Sequence, residues 1–116
     1  MNKSRDTQYH KLVKKLISTE RTELLKSVFE PLKPVEIANI LLQLKLQHQL
    51  VVLENLEREI SSEVLNNLQD SPSILGDIVK QLSPDRLSDA IEDMPQDDAA
   101  DFVGLLDDDE ADALLE

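Results

Sequence analysis

The 116-residue sequence contains no cysteine. Disulfides and Cys-based zinc sites are thereby excluded, and a reducing cytosolic setting is the natural inference. Tryptophan is absent, glycine occurs only at Gly76 and Gly104, and the aromatic residues are Tyr9, Phe29 and Phe102. Apolar residues recur at helical rather than alternating spacing, so strands are not expected. No apolar run approaches the roughly 18 residues needed to cross a bilayer, and the N-terminus lacks a signal-peptide core. The two histidines, His10 and His48, lie far apart in sequence without ligand-like spacing. There is no Gly-rich phosphate loop and no nucleophile–base set in a recognisable context, and the serines read better as helix caps. An enzyme is not expected.

What the sequence does contain is charge, unevenly placed. Hydrophobic residues make up 41% and charged residues 31%, a balance suited to one soluble, folded domain. The formal net charge is −12. Up to Lys33 eight bases face four acids, a surplus of +4, which leaves −16 for the rest of the chain. Nucleic acid is an unsuitable partner for that remainder, because phosphate binding depends on Lys and Arg.

Residues 7–17 carry Tyr9, Leu12, Val13, Leu16 and Ile17 on one helical stripe with lysines opposite, which predicts an amphipathic helix. Ser18 and Thr19 then read as an N-cap, with Glu20 in the next turn and Leu24, Leu25, Val28, Phe29 and Leu32 as a second stripe. Residues 1–31 are thus expected to form a basic helical pair that caps the remainder of the chain.

From Leu32 the chain repeats. Apolar residues stand twelve apart at Leu32, Leu44, Leu56 and Leu68, then after one fourteen-residue step at Leu82, Met94 and Leu106. An apolar pair lies near the end of each unit: Ile40 and Leu41, Val52 and Leu53, Val64 and Leu65, Ile78 and Val79, Ala90 and Ile91, Phe102 and Val103, Leu114 and Leu115. This h-h-x-x-h spacing puts all three positions on one helix face. Pro34, Pro72 and Pro84 fall where a missing N–H costs least, and Ser71 and Ser83 precede two of them as N-caps. Each unit is therefore expected to be a helix of about two turns, roughly 12 Å long. Helices so short cannot stand alone in water. Residues 32–116 are accordingly expected to stack as an all-α solenoid of acidic repeats with one continuous core. The last unit stops before a capping element, which leads us to expect that the natural chain continues.

Residues 82–116 hold thirteen acids against one base, Arg86. Much of this is the solvated side of a helical array. Asp97 and Asp101 stand out because i, i+4 spacing places them on one face, about 6 Å apart at Cβ, where like charges are mildly destabilising and a divalent ion would relieve the cost. The alternative is that Asp97 and Asp98 are first-turn acids favoured by the helix dipole. An EF-hand at Asp107–Glu110 is rejected, since Ala111 and Asp112 occupy positions where Asp/Asn and Gly are required. Any ion would be a hard one held by oxygen, and Mg²⁺ needs only one or two direct carboxylates.

The stretches LKPVEIANILLQL (32–44), VVLENLEREISSEVLNNL (51–68) and MPQDDAADFVGLL (94–106) resemble the cytosolic N-terminal domain of the MgtE family of magnesium transporters and channels. The last is close to that family's P-x-D-D-A-A-D-h-h-x-x-h unit. The resemblance implies a right-handed superhelix, followed in the longer protein by a pair of CBS domains, a plug helix and a dimeric pore in the bacterial inner membrane. It further implies that Mg²⁺ binds between this domain and the CBS pair, through Glu63 in SSEVLNNL and through Asp97 and Asp101 in PQDDAAD, and so gates the pore. CBS, plug and pore lie outside these residues, so any ion site here is incomplete. The acidic repeats also resemble part of the flagellar motor switch protein FliG. That likeness implies the rival reading, a metal-independent scaffold whose apolar groove takes a partner helix.

Overall fold

The distance from one helix start to the next is the repeat seen in the sequence. The computed structural model describes residues 3–106. These form α1 (Lys3–Ser18), a 3₁₀ turn (Thr22–Leu24), α2 (Leu25–Phe29), α3 (Pro34–Leu41), α4 (Leu46–Asn55), α5 (Arg58–Asn67), a second 3₁₀ turn (Leu68–Asp70), α6 (Pro72–Gln81), α7 (Pro84–Asp93) and α8 (Gln96–Gly104). The described residues are all-helical, without a strand. Leu56, Leu82 and Met94 are C-caps of α4, α6 and α7, and the next helix begins two residues later each time. The fourteen-residue step is the second 3₁₀ turn, inserted between α5 and α6. The helices are longer than two turns, with ten residues in α4 to α7, because each runs up to the apolar residue that opens the next unit.

Burial follows the pattern. Ile40, Leu41, Val52, Leu53, Val64, Leu65, Ile78 and Val79 are all buried in one cluster that extends from Val13 to Phe102. The second member of the pair then emerges: Ile91 is half-buried and Val103 is 39% exposed. Leu114 and Leu115 lie outside the described residues. From α3 to α7 each helix packs against the second one along, so that α3, α5 and α7 make one row while α4 and α6 make another, and α8 packs on α7. α1 rests on α3 and α4, and α2 on α4. Leu12 and Leu24, expected on the buried stripes, are each 39% exposed at the edge of this contact.

Two buried polar side chains tie successive units together from the same repeat position. Gln49 donates from Nε2 to the carbonyls of Leu41 (2.8 Å) and Leu44 (3.0 Å). Twelve residues on, the Ser61 hydroxyl donates to the Leu53 carbonyl at 3.2 Å. Each thus bonds a carbonyl near the end of the preceding helix, where intrahelical donors run out. At helix starts, Pro34, Pro72 and Pro84 occupy the first turn as expected. Ser83 caps α7 by accepting from the Arg86 N–H at 3.2 Å, whereas Ser71 stands at the cap position of α6 without a side-chain cap bond.

The Ser18–Thr19 cap is corrected by the structure. Both hydroxyls donate backwards to the Lys15 carbonyl, at 3.0 and 2.8 Å, and so finish α1 instead of starting α2. The chain reverses at Glu20, whose φ is 60°. Its N–H reaches the Ile17 carbonyl at 3.1 Å and that of Arg21 reaches Leu16 at 2.8 Å, the paired bonds of a Schellman ending. That site ordinarily takes glycine, since a side chain in the left-handed region costs about 1–2 kcal/mol. Glu20→Gly is therefore expected to stabilise the domain by about 0.5–1 kcal/mol, after the flexibility glycine adds to the unfolded chain is subtracted. Chemical denaturation would register it as a higher midpoint at an unchanged slope.

Candidate functional site

The acids of α5, α7 and α8 fall into two groups, those with a partner and those without. Between α5 and α7, Arg58 gathers three carboxylates: Nε to Asp93 at 3.0 Å, Nη2 to Glu92 at 2.9 Å, and Nη1 to Asp89 at 3.5 Å. The buried Ser62 hydroxyl adds a 3.0 Å bond to Asp93. Arg58's hydrogen bond holds the Asp93 carboxyl below its usual range, aided by Ser62 and by the Arg58 charge, with partial desolvation opposing. These groups are largely solvated, so the network fixes helix register more than it adds stability. Arg86, the base of the acidic stretch, donates to the Glu54 carbonyl at 3.1 Å.

Glu63, Asp97 and Asp101 belong to the other group. Glu63 is exposed on α5. Asp97 is exposed in the first turn of α8, with Asp101 exposed one turn later. None of the three side chains has a hydrogen bond or ion pair among the described residues. Nor do they converge: the described residues contain no group of three His, Asp or Glu side chains arranged to hold a metal. What the structure brings together is their helices. Asn66, one turn beyond Glu63, donates to Asp98 Oδ2 at 2.9 Å. Gln69 donates to Asn66 Oδ1 at 2.7 Å and to the Asp98 carbonyl at 3.1 Å.

Sequence reasoning missed Arg58 and Asp98. Arg58 stands 31 to 35 residues from its acids, beyond any spacing rule within one helix. Asp98 reads from sequence as a dipole acid, although an amide pair on another unit holds it. His10 and His48 are both half-buried, and the stacking of α1 on α4 brings them within electrostatic range. His48's pKa is lowered, first by burial and then by the charges of Lys45, Lys14 and His10. Asp107–Glu110 lie outside the described residues.

The exposed donors are carboxylate oxygens, which suit a hydrated hard cation held through one or two direct contacts and do not enclose a dehydrated one. Short helices stacked on one core, with carboxylates outward and no helix among the described residues long and apolar enough to cross a membrane, define an all-helical repeat domain with an acidic face. The pattern of the MgtE intracellular N domain matches residues 32–116, and the chain belongs to that family. It is a transporter family, not a family of enzymes. No individual curated protein matches the chain.

Proposed function

We propose that this chain is the Mg²⁺-sensing regulatory domain of a magnesium transporter or channel on the cytoplasmic side of the bacterial inner membrane. Glu63, Asp97 and Asp101 would hold the ion at a contact with CBS domains of the same, dimeric protein. Family membership supports the transporter context. The residue assignment comes from the family resemblance, and the observation that supports it is that these three acids are exposed and have no partner among the described residues, while Asp89, Glu92, Asp93 and Asp98 have one. Bound Mg²⁺ supplies the positive charge that lets two acidic surfaces approach. With the ion lost, the carboxylates of the two faces repel, and the closed arrangement of the pore is disfavoured by the difference in ion affinity between the two states.

Thermal melting in MgCl₂ against NaCl of equal ionic strength separates site binding from screening. At tenfold excess over the dissociation constant, MgCl₂ is expected to add about 1.4 kcal/mol, a few degrees in midpoint. Combining Glu63→Gln, Asp97→Asn and Asp101→Asn should abolish the excess. Equal midpoints in the two salts would show that these residues alone hold no Mg²⁺ specifically. The same comparison on a chain extended through the CBS domains would then decide between an interface site and a metal-independent scaffold.

A further inference from the structure

We propose that Asn66 and Gln69 are positioning residues that fix the acids of α8 relative to Glu63. The inference rests on the Mg²⁺-sensing reading above and assigns the residues on which the geometry of that site depends. α8 buries one residue completely, Phe102, and it lies in the C-terminal half of the helix. The N-terminal half has no comparable anchor: Asp97 is exposed, and Asp98 and Ala99 are half-buried. That end is held by amides. Asn66 takes the Asp98 carboxylate at 2.9 Å, and Gln69 takes the Asp98 backbone carbonyl at 3.1 Å while bonding Asn66 at 2.7 Å, so that side chain and backbone of one residue are fixed together. Asn66 shares α5 with Glu63, one turn apart, so the same link sets where Asp97 sits relative to Glu63.

Two features set this link apart from ordinary packing. Gln69 lies in the 3₁₀ turn created by the two extra residues of the irregular unit, so the one break in the twelve-residue period supplies one of the two donors. The donors are also neutral. Between α5 and α7 the chain holds its acids with Arg58, which cancels charge as it positions. Beside Asp97 and Asp101 it uses amides, which orient Asp98 without neutralising the surface next to it.

The test combines Asn66→Ala with Gln69→Ala, alongside Gln69→Ala alone and, as a control, Asn67→Ala, whose amide bonds the backbone Glu63 carbonyl of its own helix and no residue of α8 among the described residues. Amide exchange in α8 reads placement without metal, and a residue-resolved MgCl₂ titration at constant ionic strength reads affinity. The double variant should exchange α8 amides at least about fivefold faster, as losing a hydrogen bond's net contribution allows. Its Mg²⁺ dissociation constant should rise about tenfold, the lower end of what outer partners of metal ligands contribute. Gln69→Ala alone should shift both in the same direction, and Asn67→Ala should shift neither. Unchanged α8 exchange in the double variant would overturn the inference. So would unchanged Mg²⁺ affinity beside a wild type that titrates, and the sensing reading would then stand. A wild type that fails to titrate even when extended through the CBS domains would defeat the sensing reading itself, and with it the functional half of this inference.

Discussion

Phe29→Ala is expected to remove about 3–5 kcal/mol of stability, the range for deleting a fully buried aromatic ring. Phe29 is 1% exposed and stacks on Tyr9 with ring centroids 5.8 Å apart at an interplanar angle of 19°. It stands in the five-residue α2, too short to persist without the packing that Phe29 and Leu25 provide. A domain of this size has about 5–15 kcal/mol in all, so the melting midpoint should fall by on the order of 15–25 °C. Phe29→Leu should cost about 1–2 kcal/mol, most of it the lost ring pair with Tyr9. If Phe29→Ala melted within a few degrees of wild type, α2 would not be seated on the array.

Gln49→Glu is expected to cost about as much, 3–5 kcal/mol at neutral pH, although it changes shape hardly at all. Gln49 is 4% exposed, and its amide donates to two carbonyl oxygens. A carboxylate there would face both oxygens with no proton to offer and no cation beside it. Burial would raise the pKa of the introduced group in the folded state above its unfolded value of about 4.3. The folded state then binds more protons than the unfolded one, so the deficit is smallest below about pH 4 and grows as pH rises through that value. Gln49→Leu, which removes the donor without adding charge, should cost about 1–3 kcal/mol at every pH. It leaves the Leu44 carbonyl without this partner, whereas the Leu41 carbonyl keeps the Leu44 N–H at 2.9 Å. Melting curves of both variants across pH would check the two signs.

The repeat was legible because burial and connection share one period. An apolar residue sits two positions before the start of the next helix at Leu44, Leu56, Leu82 and Met94, so these residues mark the turns as well as the core. The reversal at Glu20 was hidden because a Ser-Thr pair suits either end of a helix, and glycine, the usual marker of a left-handed ending, is missing there. The two-row packing was hidden as well, because a helical stripe states which face is buried and not which neighbour buries it. The same limit applies to the candidate site. Asp97 and Asp101 could be paired by their i, i+4 spacing, and resemblance to the family added Glu63. Which acids are already engaged depends on Arg58, Asn66 and Gln69, which reach them from units about 30 residues away. A structure that brings those units together was needed to separate acids that hold the stack from acids left to the solvent.

The most direct measurement of Mg²⁺ sensing by this domain is a nuclear magnetic resonance titration of the isotope-labelled protein with MgCl₂ at constant ionic strength. Saturable shifts are expected, concentrated at the amides of Glu63, Asp97 and Asp101 and their neighbours, with Asp89, Glu92 and Asp93, engaged by Arg58, largely unmoved. Shifts that are spread evenly over all the acids and never saturate would contradict a specific ion site on these three residues.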